Sequence, residues 1–126
     1  MYVDSSVVLA TVFAEARRPD DRFWLGPRFA SRLADLEVRV RVAGRAPRGS
    51  VEDVDAVLAH MQFIEMSAAS LSLLYTRPPA GVRTLDAIHL ATLEHLHRTG
   101  HGMPLATYDR RLATAAHGMG FQVIIP

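Results

Sequence analysis

Short apolar runs of strand length alternate with longer stretches of helical period along this chain, and that alternation constrains the fold more than any other feature. Residues 1–4 read as a strand, followed by a helix over residues 5–16 with Val8, Leu9, Val12 and Phe13 at helical spacing. A loop over 17–27, holding Pro19, Gly26 and Pro27 and at most one turn of helix, leads to a strand at 28–31. Phe23 and Trp24, in that loop, are expected to pack on the core. Ser31 is placed to cap a helix that runs to about Ala43 and stops at Gly44. Ser50 opens a second capped helix, with Glu52 and Asp53 favourable to its dipole, and a strand over 62–66 follows. Residues 67–75 and 84–98 read as helices separated by the breaker Arg77-Pro78-Pro79-Ala80-Gly81, and Gly100 and Gly102 close the second. A strand over 103–107, a helix over 109–117 and a strand over 121–125 complete the series. Short apolar strands joined by helical crossovers predict a parallel sheet covered on both faces. The expected class is therefore α/β, a three-layer α/β/α sandwich around a mostly parallel sheet.

At 126 residues the chain matches one ordinary domain, so a single domain over 1–126 is expected. The absence of cysteine excludes disulfides, thiolate metal sites and a cysteine nucleophile. All fourteen basic residues are arginine. Without lysine there is no Schiff-base chemistry, no Walker-type phosphate lysine and no phospho-receiver lysine. A net charge of +1 neither announces nor excludes a nucleic-acid partner, which leaves local arginine clusters as the informative feature. The N-terminal residues carry no basic segment followed by an apolar one, and no stretch reaches membrane-spanning length, so a cytoplasmic protein without a membrane partner is expected.

Among thirteen acidic residues, the informative ones sit where a solvated charge is out of place. In the helix after Ser31, the residues Leu33, Leu36, Val40 and Ala43 form an apolar stripe on which Glu37 lies, whereas Asp35 falls off it. An unpaired buried carboxylate costs roughly several kcal/mol, so Glu37 must be paired, metal-bound or at the rim of a polar cleft. Asp86 interrupts the apolar segment Leu85-Asp86-Ala87-Ile88-His89-Leu90-Ala91 early in its helix. Asp4 and Asp109 each end a strand and begin a helix. Each acid has an ordinary structural use: Asp4 and Asp109 as helix caps, Asp86 as a first-turn acid, Glu37 as the partner of Arg41. Their positions jointly say more, because a doubly wound sheet gathers such junctions at the carboxyl ends of its strands. A carboxylate cluster without His or Cys ligands is a hard-oxygen site suited to Mg²⁺ or Mn²⁺. Such ions activate water and stabilise charge on the leaving oxygen of a phosphodiester, which makes phosphodiester hydrolysis the natural reaction.

Four segments, in order, resemble the PIN domain family, and within it the VapC-type ribonuclease toxins of bacterial toxin–antitoxin pairs. They are Tyr2-Val3-Asp4-Ser5-Ser6-Val7-Val8-Leu9, Ser31-Arg32-Leu33-Ala34-Asp35-Leu36-Glu37-Val38, Arg83-Thr84-Leu85-Asp86-Ala87-Ile88-His89-Leu90-Ala91 and Leu105-Ala106-Thr107-Tyr108-Asp109-Arg110-Arg111-Leu112. The resemblance implies metal-binding, catalytic roles for Asp4, Glu37, Asp86 and Asp109, with Ser6 and Thr107 as polar supports. It also implies Mg²⁺- or Mn²⁺-dependent cleavage of single-stranded RNA, homodimerisation and neutralisation by a cognate antitoxin. Ser5 stands where many relatives have threonine, and the segment 17–26 matches poorly.

Arg39, Arg41, Arg45, Arg48, Arg110 and Arg111 flank the acids and are candidates for holding phosphates, against the alternative of a solvated face with surface pairs. His95 and His97 are two residues apart on a helix and so face different ways, while His60 and His89 read as partly buried structural or rim residues. No histidine is assigned to catalysis. The competing function is a non-catalytic PIN-like α/β binding module, with the acids serving as caps or as a regulatory or vestigial metal site.

Overall fold

The computed structural model describes residues 1–45 and 51–126, so Arg48 and the expected cap Ser50 lie outside the described residues. The elements run β1 (Tyr2–Val3), α1 (Ser5–Val12), a 3-10 helix (Asp21–Leu25), β2 (Arg28–Ser31), α2 (Arg32–Ala43), α3 (Val51–Leu58), β3 (Met61–Ile64), α4 (Ser72–Thr76), α5 (Thr84–Arg98), β4 (Leu105–Ala106), α6 (Arg110–Gly118) and β5 (Val123–Ile124). The five strands form one sheet in the order β3-β2-β1-β4-β5, and every pair is parallel. The expected three-layer α/β/α architecture is therefore the one observed. No helix among the described residues is long and apolar enough to cross a membrane.

Neighbouring residues of a strand face opposite sides of a sheet, and the two central strands feed two cores in this way. Val3 and Ala106 join Val7, Val8, Ala34, Val38, Val54 and Leu58 under α1, α2 and α3. Tyr2 and Leu105 join Leu90, Leu93, Leu96, Leu112 and Ala116 under α5 and α6. Phe23 and Trp24 pack edge to face at 4.9 Å and lie against the first core, as the loop sequence suggested.

Three expectations are corrected. The helix after β1 stops at Val12 rather than residue 16, because the chain turns at Ala14 into the left-handed region (φ 49°). The helix expected over 67–75 survives only as α4. Before it, Ser70 Oγ donates to the Glu65 carbonyl at 2.7 Å and accepts the Ser67 N–H at 2.9 Å. Such local side-chain bonds offer the backbone an alternative to the helix. On α2 the buried stripe is Leu33, Ala34, Val38 and Val42. Leu36 is 48% exposed and Val40 72%, so the stripe drawn through Leu36, Val40 and Ala43 is the wrong one. Ala34, Val38 and Val42 pack in the first core with Val3, Ala30 and Ala106, and this face sets the helix's phase.

Candidate functional site

From β1 the chain winds through β2 to β3 on one side of the sheet, then returns to β4 and β5 on the other. The winding direction thus reverses between β1 and β4. In an open parallel sheet this leaves a crevice outside the carboxyl ends of those two strands. Asp4 follows β1 there, and Thr107 and Asp109 follow β4. A cavity of about 180 Å³ at this point is lined by Asp4, Glu37, Asp86 and Asp109, together with Ser6, Arg41, Arg83 and His89. The fold brings all four expected acids to one place.

Asp4 is the most tightly held. It is 4% exposed and caps α1 by accepting the Ser6 N–H at 3.2 Å. Its Oδ2 also accepts from the Ser6 hydroxyl at 2.6 Å and the Thr107 hydroxyl at 2.9 Å, and its Oδ1 accepts from the Ser5 hydroxyl at 3.4 Å. Hydrogen bonds to a carboxylate are short and about twice as strong as neutral ones. The two supporting hydroxyls are themselves fixed, since Ser6 accepts the Tyr108 N–H and Thr107 accepts the Asp109 N–H, both at 2.9 Å. The ends of β1 and β4 are therefore laced together by side chains.

Glu37 reaches the cavity from the second turn of α2, its side chain 12% exposed. Its partner is His89, with Nε2 at 3.0 Å from Oε2, and among the described residues it forms no ion pair with Arg41. Asp109 caps α6, its Oδ1 accepting the N–H groups of Arg111 at 2.7 Å and Leu112 at 3.3 Å. Asp86, in the first turn of α5, makes no hydrogen bond among the described residues. Burial, then the charges of Asp109 and Asp4, push its carboxyl above the ordinary range, against the opposing influence of His89 and Arg83. Cap and first-turn roles thus coexist with convergence on the cavity.

His89 is the residue that sequence reasoning set aside. It is 2% exposed, sits 3.6 Å from Asp4 Oδ1 as well as 3.0 Å from Glu37, and its Nδ1 lies 2.9 Å from the Tyr2 hydroxyl. Burial pulls its basicity down, but the Glu37 hydrogen bond and the charges of Asp4, Glu37 and Asp86 outweigh that, so the net shift is upward. The signal available was its position three residues after Asp86, which puts both on one helical face. His60 is exposed and stands at the edge of another cavity, on the side of α1 and α3.

The arginines divide. Arg39 is engaged with Asp35 at 2.7 Å and Asp55 at 2.9 Å, and Arg45 lies over the Phe13 ring. Arg41 and Arg83 border the acidic cavity. Arg83, Arg110 and Arg111 line an adjoining cavity of about 660 Å³ that shares Asp86 with it. None of these four arginines donates to an acceptor among the described residues, so their guanidinium groups are available to an anion.

Four carboxylates against one buried histidine and two rim arginines leave negative charge that a cation would balance. The donors are oxygens, the set that Mg²⁺ and Mn²⁺ take. One potential ligand atom from each of Asp4, Glu37 and His89 lies within 4.8 Å of the other two. These residues fit a divalent metal.

Comparison with known proteins agrees with this geometry. The chain is 33% identical to the ribonuclease VapC46 of Mycobacterium tuberculosis over 132 residues, covering 100% of this chain and 97% of that protein. It is 29% identical to ribonuclease VapC35 and 27% identical to ribonuclease VapC47 of the same organism, covering 100% of this chain and 96% of each. The family model of the PIN domain matches residues 1–118, which includes every residue of the acidic cavity, and the chain belongs to the PIN domain family.

Proposed function

We propose that this protein is a metal-dependent endoribonuclease, the toxin of a toxin–antitoxin pair, built as one nuclease domain over residues 1–126. The observation that carries the proposal is the convergence of Asp4, Glu37, Asp86 and Asp109 on one cavity at the switch point of a parallel sheet. Those four side chains would hold Mg²⁺ or Mn²⁺. A divalent ion bound there supplies Lewis acidity, making water a stronger acid and neutralising charge on a phosphodiester. In the reaction, a water oxygen bonds to phosphorus while the bond from phosphorus to the leaving ribose oxygen breaks, and the water's protons pass to solvent and to the leaving group.

The remaining residues hold and orient. Ser6 and Thr107 fix Asp4, and the cap bonds fix Asp109, so two carboxylates need no reorganisation when substrate arrives. Arg83, Arg110 and Arg111 are assigned to the phosphates beside the scissile one, because their cavity adjoins the acids and their charge is otherwise unmet. A cognate antitoxin, homodimerisation and action in the cytoplasm are part of the same proposal, and rest on the resemblance to VapC-type toxins and on the absence of cysteine.

The test is cleavage of single-stranded RNA by the purified chain. Hydrolysis should require Mg²⁺ or Mn²⁺, stop on chelation, and fall by on the order of 10² to 10³-fold or more in Asp4→Asn and in Asp86→Asn, with helical circular dichroism retained. Full activity in either variant refutes the site. A chain that binds Mn²⁺ yet cleaves no RNA would make it a binding module instead.

A further inference from the structure

The proximity of Asp4, Glu37 and His89 admits two descriptions. Either the imidazole is a third ligand of the metal, or it is a hydrogen-bond donor that sets the carboxylates in place. The hydrogen-bond partners of the two ring nitrogens decide between them. The Tyr2 hydroxyl accepts the Ser31 N–H at 3.1 Å and has one proton of its own to give. It lies 2.9 Å from His89 Nδ1. The Tyr2 contact alone admits either neutral tautomer, since the hydroxyl can give its proton to Nδ1 or accept one from it. The Glu37 contact decides: Nε2 lies 3.0 Å from a carboxylate oxygen, which can only accept, so the proton of that hydrogen bond is on Nε2, and Asp4 Oδ1 lies 3.6 Å away on the same side. A nitrogen that bears a proton has no lone pair for a metal.

We propose that His89 is a positioning residue of the carboxylate site: Tyr2 orients its ring, its Nε2–H engages one oxygen of Glu37, and the cation is left to the carboxylates alone. Glu37 needs such a hold. Asp4 and Asp109 are anchored by backbone N–H groups or hydroxyls next to them, whereas the Glu37 carboxylate ends a longer, more flexible side chain and among the described residues has no other hydrogen-bond partner. The same Tyr2 hydroxyl reaches the first residues of α2 through Ser31 and reaches α5 through His89. One buried oxygen thereby ties together the three elements that carry Asp4, Glu37 and Asp86.

This inference deepens the nuclease proposal and rests on it for the metal, so the test reads metal binding apart from catalysis. Mn²⁺ affinity is measured by calorimetry for the parent, His89→Leu, His89→Gln, His89→Asn and Tyr2→Phe, with RNA cleavage measured beside it. A glutamine amide nitrogen is as many bonds from Cα as Nε2 and can still donate to Glu37, while an asparagine amide falls short. Loss of a residue that orients a ligand costs roughly 10- to 100-fold in metal affinity. The expected order is parent, then His89→Gln close behind, then Tyr2→Phe, with His89→Asn and His89→Leu about tenfold or more weaker. RNA cleavage should lose kcat in the same order, with KM within about twofold. Pulsed EPR of the Mn²⁺-loaded parent should show no imidazole nitrogen coupled to the metal.

Detection of that coupling overturns the proposal, since His89 is then a ligand. So does equal Mn²⁺ affinity in His89→Gln and His89→Asn, a comparison that stands even if His89→Leu does not fold. If the affinity order appears and the parent cleaves no RNA, the nuclease proposal fails and the positioning role survives. If the parent cleaves RNA and the order is absent, the positioning role fails alone.

Discussion

The two halves of the acidic cavity are built differently. On one side, Asp4, Glu37 and His89 are nearly closed off from solvent and each is held by named hydrogen bonds. On the other, Asp86 and Asp109 are half-buried at the starts of α5 and α6, and Asp86 has no hydrogen bond among the described residues. The first half is organised by the protein itself. In the second, Asp109 is held by its cap bonds while Asp86 carries charge that the protein leaves unmet, which shows in the upward push that burial, Asp109 and Asp4 exert on it. A cation held by these acids would relieve most repulsion at Asp86, the acid without a hydrogen bond among the described residues.

The largest effect that tests this contrast is stabilisation by metal. At about one hundred times its dissociation constant, Mn²⁺ should raise the unfolding free energy of the parent by about 2.7 kcal/mol, and the gain should vanish in Asp86→Asn. Thermal unfolding with and without chelator measures both. Next, without metal, the two aspartates should respond to amidation with opposite signs. Asp4→Asn turns an acceptor of several hydrogen bonds into a partial donor and should cost roughly 1 to 3 kcal/mol. Asp86→Asn removes repulsion from Asp4 and Asp109 and should gain, though solvent screening keeps the gain to about a few tenths of a kcal/mol. Two losses of equal size would erase the distinction between the halves.

A third prediction sharpens the rigid half. Burial raises the Tyr2 phenol far above its ordinary value, so the native state keeps the proton where the unfolded chain releases it. The contribution is fully present below about pH 10 and is lost as pH rises beyond it, at up to roughly 1.4 kcal/mol per pH unit. Urea titrations in chelator at several alkaline pH values should show that slope reduced by about one ionisable group in Tyr2→Phe. The smallest effect concerns the rim. Each of Arg110→Gln and Arg111→Gln should flatten the dependence of log RNA affinity on log salt by about 0.7, as read by anisotropy on a catalytically inactive background. Arg39→Gln should flatten it less, because Arg39 is already paired with Asp35 and Asp55.

The sandwich and its helix starts were readable because they depend on neighbours in sequence: the Ser31 cap, the breaker after Arg77 and the strand at 28–31 all act locally. Where two apolar phases competed, as along α2, periodicity alone could not choose, since the face that is buried is decided by distant residues of the core it meets. The acids were found by position along the chain. His89 was missed because its meaning lies in Glu37, 52 residues away, and in a tyrosine hydroxyl at the other end of the sequence.

The lining of the acidic cavity comes from residue 4, from residue 37, from residue 86 and from residue 109, each on a different element. During synthesis, the first of these leaves the ribosome long before the last. Long-range contacts of this kind form only when the distant partners are both present. A nascent chain that has not yet released the residues after β4 lacks Asp109 and the Thr107 hydroxyl that holds Asp4. Any chemistry at this site therefore waits until residue 109 has joined residue 4, however early the first acid is made.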